Sequence, residues 1–113
     1  MVLCRDTEKE AHHLAKQIIE HADPIATDNF LRPFEEGDQA SWKGFDRSSA
    51  VLGGNVNLIG NPQHMVDWFI RLKEAGCDGI QISFFDFLPD LDHFGKKVLP
   101  LMIEAGLREE IDT

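Results

Sequence analysis

Hydrophobic positions along the chain alternate between short unbroken runs and stripes at helical spacing, and that alternation organises the sequence. Val2-Leu3-Cys4 is a short apolar run of strand type. Thr7 followed by Glu10 reads as a capping box opening a helix, on which Ala11, Leu14, Ile18 and Ile19 share one face. That helix is expected over about 7–22, with Pro24 soon after its end. Further on, Val56-Asn57-Leu58-Ile59-Gly60 reads as a second strand, and Asn61-Pro62 supplies an N-cap followed by proline at the first helical position. Met65, Val66, Phe69, Ile70 and Leu72 form the stripe of that helix, which should stop near Gly76. Gly79-Ile80-Gln81-Ile82-Ser83-Phe84-Phe85 has the apolar bias of a buried third strand. After Pro89, the residues Leu91, Phe94, Val98, Leu101 and Met102 predict one more helical stretch, which Pro100 must kink or divide.

Between these units, residues 23–54 carry Pro24, Pro33, Gly37, Gly44 and the Gly53-Gly54 pair, which interrupt any long period. Short helical pieces are expected around Ala26–Phe34 and Ser48–Leu52, within an irregular insertion of the kind that often forms a binding loop or lid. The chain therefore divides into a strand-helix unit at 1–22, the insertion at 23–54, and two further units at 55–113, all within one domain. Strands separated by helices of this length imply parallel pairing and right-handed crossovers, hence an α/β fold.

Length and charge narrow the function classes. The 113 residues fit one domain but fall below half of the roughly 250 that an eight-fold β/α barrel needs. Three strands cannot close a barrel, so an isolated sheet of this kind has two open edges and one poorly covered face. A net charge of -9 repels nucleic-acid phosphates and anionic membranes, so neither is an expected partner. No apolar run approaches the roughly 20 residues of a bilayer span, and Met1–Asp6 lacks the features of a signal peptide, so a cytoplasmic location is expected. Cys4 and Cys77 read as buried thiols. The histidines His12, His13, His21, His64 and His93 show no recognised metal-ligand spacing, and no phosphate loop or nucleophile elbow is present. The acidic pairs Glu35-Glu36, Asp90 with Asp92, and Glu109-Glu110 read as solvated faces.

Several segments in order resemble a known family. They are Asn57–Val66, with its strand ending in Leu58-Ile59-Gly60 and helix opened by Asn61-Pro62; Ala75-Gly76-Cys77-Asp78-Gly79-Ile80; Ser83–Phe87; and Phe94-Gly95-Lys96-Lys97-Val98-Leu99-Pro100-Leu101-Met102. Together they resemble the luciferase-like FMN-dependent monooxygenases, in the branch of the pyrimidine oxygenases and the alkanesulfonate and dimethyl-sulfone monooxygenases. That branch has a strand ending in "LVG", an "AGVDG" before its last strand and a closing helix reading "FGEEVLPLL"; Thr7-Glu8-Lys9-Glu10-Ala11 is similar to its "TEEEA" helix start. The likeness is dense over 55–106 and thin over 23–54.

The resemblance implies that the chain is the C-terminal part of a (β/α)8 TIM barrel, about three parallel strands alternating with helices. It further implies FMN as cofactor, reduced by a separate flavin reductase and used with O2 to oxygenate or cleave the substrate. Barrel sites lie at the C-terminal strand ends. In the alkanesulfonate relatives a tyrosine and a histidine follow the last strand, and the matching positions here are Phe85 and Phe87. Neither ring can donate a proton, so an apolar or planar substrate fits better than a sulfonate; the plainer reading is that both rings only pack. The substrate arginine of those relatives falls near Val51 here, with Arg47 the nearest basic residue; the plainer reading is a surface arginine. Asn57 and Ser83 are polar groups at strand positions, where a flavin contact or a structural partner would satisfy each. Two functional expectations follow: a portion of a flavin monooxygenase that is inactive alone and needs its missing barrel half, or a non-catalytic barrel-derived domain that self-associates as a homo-oligomer to cover its apolar face. An unrelated binding domain with generic βα patterning is the third.

Overall fold

In the computed structural model, which describes residues 1–37, 39–53 and 56–112, strand β1 (Val2–Cys4) pairs in parallel with β2 (Leu58–Gly60), Val2 opposite Leu58 and Cys4 opposite Gly60. The ladder is closed by Leu58 N–H donating to Met1 O at 2.9 Å and Arg5 N–H to Gly60 O at 3.1 Å. The expected boundary at Gly54 and Asn55 lies outside the described residues. Among those described, no helix is long and apolar enough to cross a membrane.

The helices start where local chemistry dictates. Thr7 caps α1 (Glu8–Glu20) by accepting the Glu10 N–H at 3.2 Å. Asn61 caps α5 (Pro62–Glu74) by accepting the His64 N–H at 2.9 Å, and the His64 ring accepts the Asn61 N–H in return. Gly76, at φ +100°, terminates that helix in the left-handed conformation that glycine tolerates. Pro100, which has no N–H to donate to the turn before it, separates α6 (Phe87–Lys97) from α7 (Leu99–Glu104) as expected.

Segment 23–54 is more helical than its sequence suggests. Asp23 accepts the N–H groups of Ile25 and Ala26, Pro24 occupies the first turn, and α2 (Pro24–Glu36) runs through Pro33. Two short helices follow, α3 (Gln39–Trp42) and α4 (Arg47–Val51), the latter capped by Asp46. Phe34, Trp42 and Phe45 pack ring against ring in tilted and edge-on contacts, with centroids 4.9 and 4.7 Å apart, and tie α2 to α3.

One expectation about the sheet needs correction. The third strand over 79–85 does not form: that stretch makes a single parallel bridge, Val2 to Phe84, with the Val2 N–H donating to Ser83 O at 2.9 Å. The bridge also falls on the far edge of β1, so the order across the sheet is β2, β1, third segment. Successive units of a closed barrel instead pair in chain order, which would place β2 in the middle.

The core agrees with that open arrangement. Val2, Cys4 and Leu58 pack with Met65, Val66 and Phe69 of α5 and with Phe94 and Val98, so α5 and α6 cover one face. Strand alternation turns Leu3 to the opposite face, where α1 buries Ala11 and Ala15 against the sheet, outside that cluster. Helices therefore lie on both faces of a narrow parallel sheet.

The cysteines differ. Cys4 is buried, and desolvation pushes its thiol up to about 11, whereas Cys77 is exposed. Titration with a thiol reagent at pH 8 should give one fast equivalent in the folded chain and a second only on unfolding. Two fast equivalents would mean that β1 is not covered as described.

Candidate functional site

The strand order creates a switch point between β1 and the third segment, because the helix after β1 goes to one face and the helix after Phe84 to the other. In open parallel sheets, crevices outside the carboxyl ends of strands at such points are where ligands bind. Arg5 and Asp6 leave β1 there, and Phe85 and Asp86 leave the third segment.

This crevice is closed by side chains of its own. Asp90 is 4% exposed, and its Oδ1 sits 2.9 Å from Arg5 Nη1, at ion-pair distance but off the hydrogen-bond axis. The same nitrogen donates to Cys4 O at 2.7 Å, while Asp90 Oδ2 accepts the Asp86 N–H at 3.1 Å. Asp90 thus joins the end of β1 to the loop entering α6. One turn later, His93 Nε2 lies 3.1 Å from Asp6 Oδ1. That hydrogen bond holds the Asp6 carboxyl below its usual 3.8, so the contact stabilises the fold at neutral pH and is lost as pH falls through the lowered value. His93 Nδ1 is buried with no hydrogen-bond partner among the described residues.

The sequence alone assigns none of these four residues to a site, and Asp90, expected on a solvated face, is buried instead. The signal was available: Asp90, Phe94 and Val98 share one helical stripe at i, i+4 and i+8, all three buried. Leu91, assigned to that stripe, is 45% exposed instead.

Beside the crevice an open groove of about 420 Å³ runs between α1, α2 and α4, lined by Ile18, Ala22, Ala26, Phe30, Val51 and Phe85 among others. The structure therefore brings Phe85 together with Val51, the last residue of the helix that starts at Arg47. Arg47 itself pairs with Asp28 of α2. Phe87 is 58% exposed and packs edge-on against Phe84, with centroids 5.8 Å apart. Asn57 immediately precedes β2, and its buried Oδ1 has no hydrogen-bond partner among the described residues. Ser83 is exposed, so it carries no burial cost of the kind expected for a strand position. Neither Asn57 nor Ser83 is among the described residues that line the groove.

Comparison with known proteins gives the site its context. No family model matches the chain. It is 36% identical over 118 residues to an FMNH2-dependent dimethylsulfone monooxygenase of Pseudomonas fluorescens (strain Pf0-1), an alignment covering 96% of this chain and 32% of that protein. It is 35% identical over 112 residues to an FMNH2-dependent dimethylsulfone monooxygenase of Pseudomonas putida, covering 91% of this chain and 31% of that protein. Along nearly its whole length the chain is therefore similar to two FMNH2-dependent dimethylsulfone monooxygenases, of each of which it spans about a third.

Proposed function

We propose that this chain is the C-terminal portion of a luciferase-like flavin-dependent monooxygenase of (β/α)8 barrel type, working in the cytoplasm and inactive in isolation. The observation that carries the reading is the match along 96% of the chain to a dimethylsulfone monooxygenase that uses FMNH2. In this reading the rest of a barrel completes the site, reduced FMN comes from a separate reductase, and the flavin supplies the oxygenating chemistry.

The residues present fit only part of an FMN site. Apolar and aromatic surface is there, in the groove bordered by Phe30 and Phe85, whereas the unpartnered Asn57 Oδ1 is buried at the amino-terminal end of β2, outside that groove. The phosphate is another matter: Arg5 at the crevice and Arg47 at the start of α4 are already paired with Asp90 and Asp28. Flavin contacts must be completed from outside the chain, so no step through the flavin is assigned to these residues. On the substrate side, Phe85 and Phe87 offer no donor and Arg47 is neutralised, which favours a small neutral substrate over a sulfonate.

A second reading, a non-catalytic barrel-derived domain that self-associates, draws support from the packing, since helices cover both faces while Phe85, Phe87 and Leu88 stay at least half exposed. A chimera separates the two. This chain should be exchanged for the matching third of the Pseudomonas putida monooxygenase, and FMN binding and FMNH2-dependent turnover of dimethyl sulfone measured. The isolated chain is expected to bind no FMN at micromolar concentration, while the chimera binds it stoichiometrically and turns over. A folded chimera without flavin binding overturns the monooxygenase reading.

A further inference from the structure

We propose that Asp90 is a positioning residue: through the Asp86 amide it sets the turn 85–87, and with it the placement of the Phe85 ring on the groove that a small neutral substrate would meet. The proposal rests on the reading of the chain as a monooxygenase portion with Phe85 on its substrate side.

The start of α6 departs from the usual capping scheme. Asp86 holds the N-cap position, yet its side chain caps nothing and is exposed. An N-cap aspartate ordinarily accepts the N–H of the second or third helical residue, and in a capping box the third residue reaches back to the N-cap amide. The third residue here is Pro89, which has neither an N–H to be capped nor a side-chain acceptor to reach back with. That task passes to the next residue. Asp90 Oδ2 accepts the Asp86 N–H at 3.1 Å, and the Asp90 N–H donates to Asp86 O at 3.0 Å. Asp90 therefore engages the amide and the carbonyl of Asp86 together.

The grip is referred to a fixed point. Asp90 is 4% exposed, and its Oδ1 lies 2.9 Å from Arg5 Nη1, which donates to Cys4 O at the end of β1. On the apolar side of the turn, Phe84 packs edge-on against both Phe87 and Phe94, with centroids 5.8 and 5.7 Å apart. The residues on both sides of Phe85 and Asp86 are thus anchored. Phe85 itself is 55% exposed on the groove, so its direction follows from the backbone beside it rather than from packing around its ring.

A matched pair of variants isolates the Asp86 hydrogen bond. Leucine and asparagine share a branched shape, and only asparagine carries an acceptor. In an Arg5→Met background, Asp90→Leu and Asp90→Asn remove the same charges and differ in what the Asp86 N–H can meet. In the isolated chain, hydrogen exchange followed by NMR should show the Asp86 amide exchanging about five- to tenfold faster with leucine than with asparagine. The Leu58 amide, which donates to Met1 O within the ladder, should exchange equally in both and reports that the sheet is intact. With the same pair in the chimera, leucine should raise KM for dimethyl sulfone about three- to tenfold over asparagine, with kcat within about twofold and FMN affinity unchanged. A merely structural role would lower the melting temperature or the active fraction and leave KM alone. Equal Asp86 exchange in the two variants overturns the proposal, and so does equal KM in two chimeras that both bind FMN. A parent chimera that binds no FMN is instead the failure of the underlying reading, on which the substrate side falls while the exchange comparison still decides how Asp86 is held.

Discussion

Replacing Asp90 by alanine is expected to destabilise the chain by about 3–5 kcal/mol, a large part of the roughly 5–15 kcal/mol that a small domain possesses. The carboxylate is 4% exposed and joins three parts of the fold: Arg5 after β1, the Asp86 amide before α6, and the apolar stripe it shares with Phe94 and Val98. Alanine leaves the Arg5 guanidinium without its counter-charge and the Asp86 N–H without an acceptor, and unpaired groups of this kind cost more than the intact pair contributes. Because the Arg5 side chain is 27% exposed, water can rescue part of its charge, and the loss should fall toward the lower end of the range. Urea unfolding followed by circular dichroism measures it. The mechanism also predicts a partial recovery: Arg5→Met combined with Asp90→Leu removes both charges and fills the space, and should be more stable than Asp90→Ala alone. An Asp90→Ala variant within about 1 kcal/mol of the parent chain would mean that the crevice is wetter than the structure shows.

That network also marks the limit of what the sequence reveals. Features decided within a few residues were legible: the Thr7 cap, Asn61-Pro62 at the start of α5, Gly76 at its end, and the division at Pro100. Each depends on local backbone hydrogen bonds or on the conformational limits of one residue. The Asp23-Pro24 start of α2 had the same kind of signal and was hidden by the density of glycine and proline after it. Features decided by long-range pairing were not legible. The stripe that Asp90 shares with Phe94 and Val98 marks it as inward-facing, but its partner Arg5 lies 85 positions earlier, and no periodicity reports a partner that distant. Ile80, Ile82, Phe84 and Phe85 have the composition of a strand, but a strand needs a continuous ladder beside it, and this stretch obtains one bridge. Alternation of strands and helices fixes parallel pairing without fixing which edge each strand joins. The candidate site divides the same way. Phe85 and Val51, the last residue of the Arg47 helix, line one groove, while Ser83 is exposed to solvent and the Arg5, Asp6, Asp90 and His93 cluster emerges only from the fold.

Leu3→Ala should cost about 3–5 kcal/mol, and it discriminates between an open two-faced sheet and a loosely covered one. Leu3 has no exposed surface although its neighbours Val2 and Cys4 face the α5 and α6 cluster. Its burial therefore depends on the second layer, in which α1 lies against both strands with Ala11 and Ala15 buried. Two alanines facing the sheet let the α1 backbone approach closely, so little side-chain material is available to fill the space that a truncated Leu3 leaves. Cavities that cannot collapse lie at the costly end of the leucine-to-alanine range. The comparison is Leu88→Ala: Leu88 is 79% exposed, so its truncation removes almost no buried contact and should change stability by less than about 0.5 kcal/mol. Equal and small effects at both positions would mean that α1 does not cover the sheet. A large effect at Leu3 alone establishes that β1 is buried on both faces, held between α1 on one side and the α5 and α6 cluster on the other.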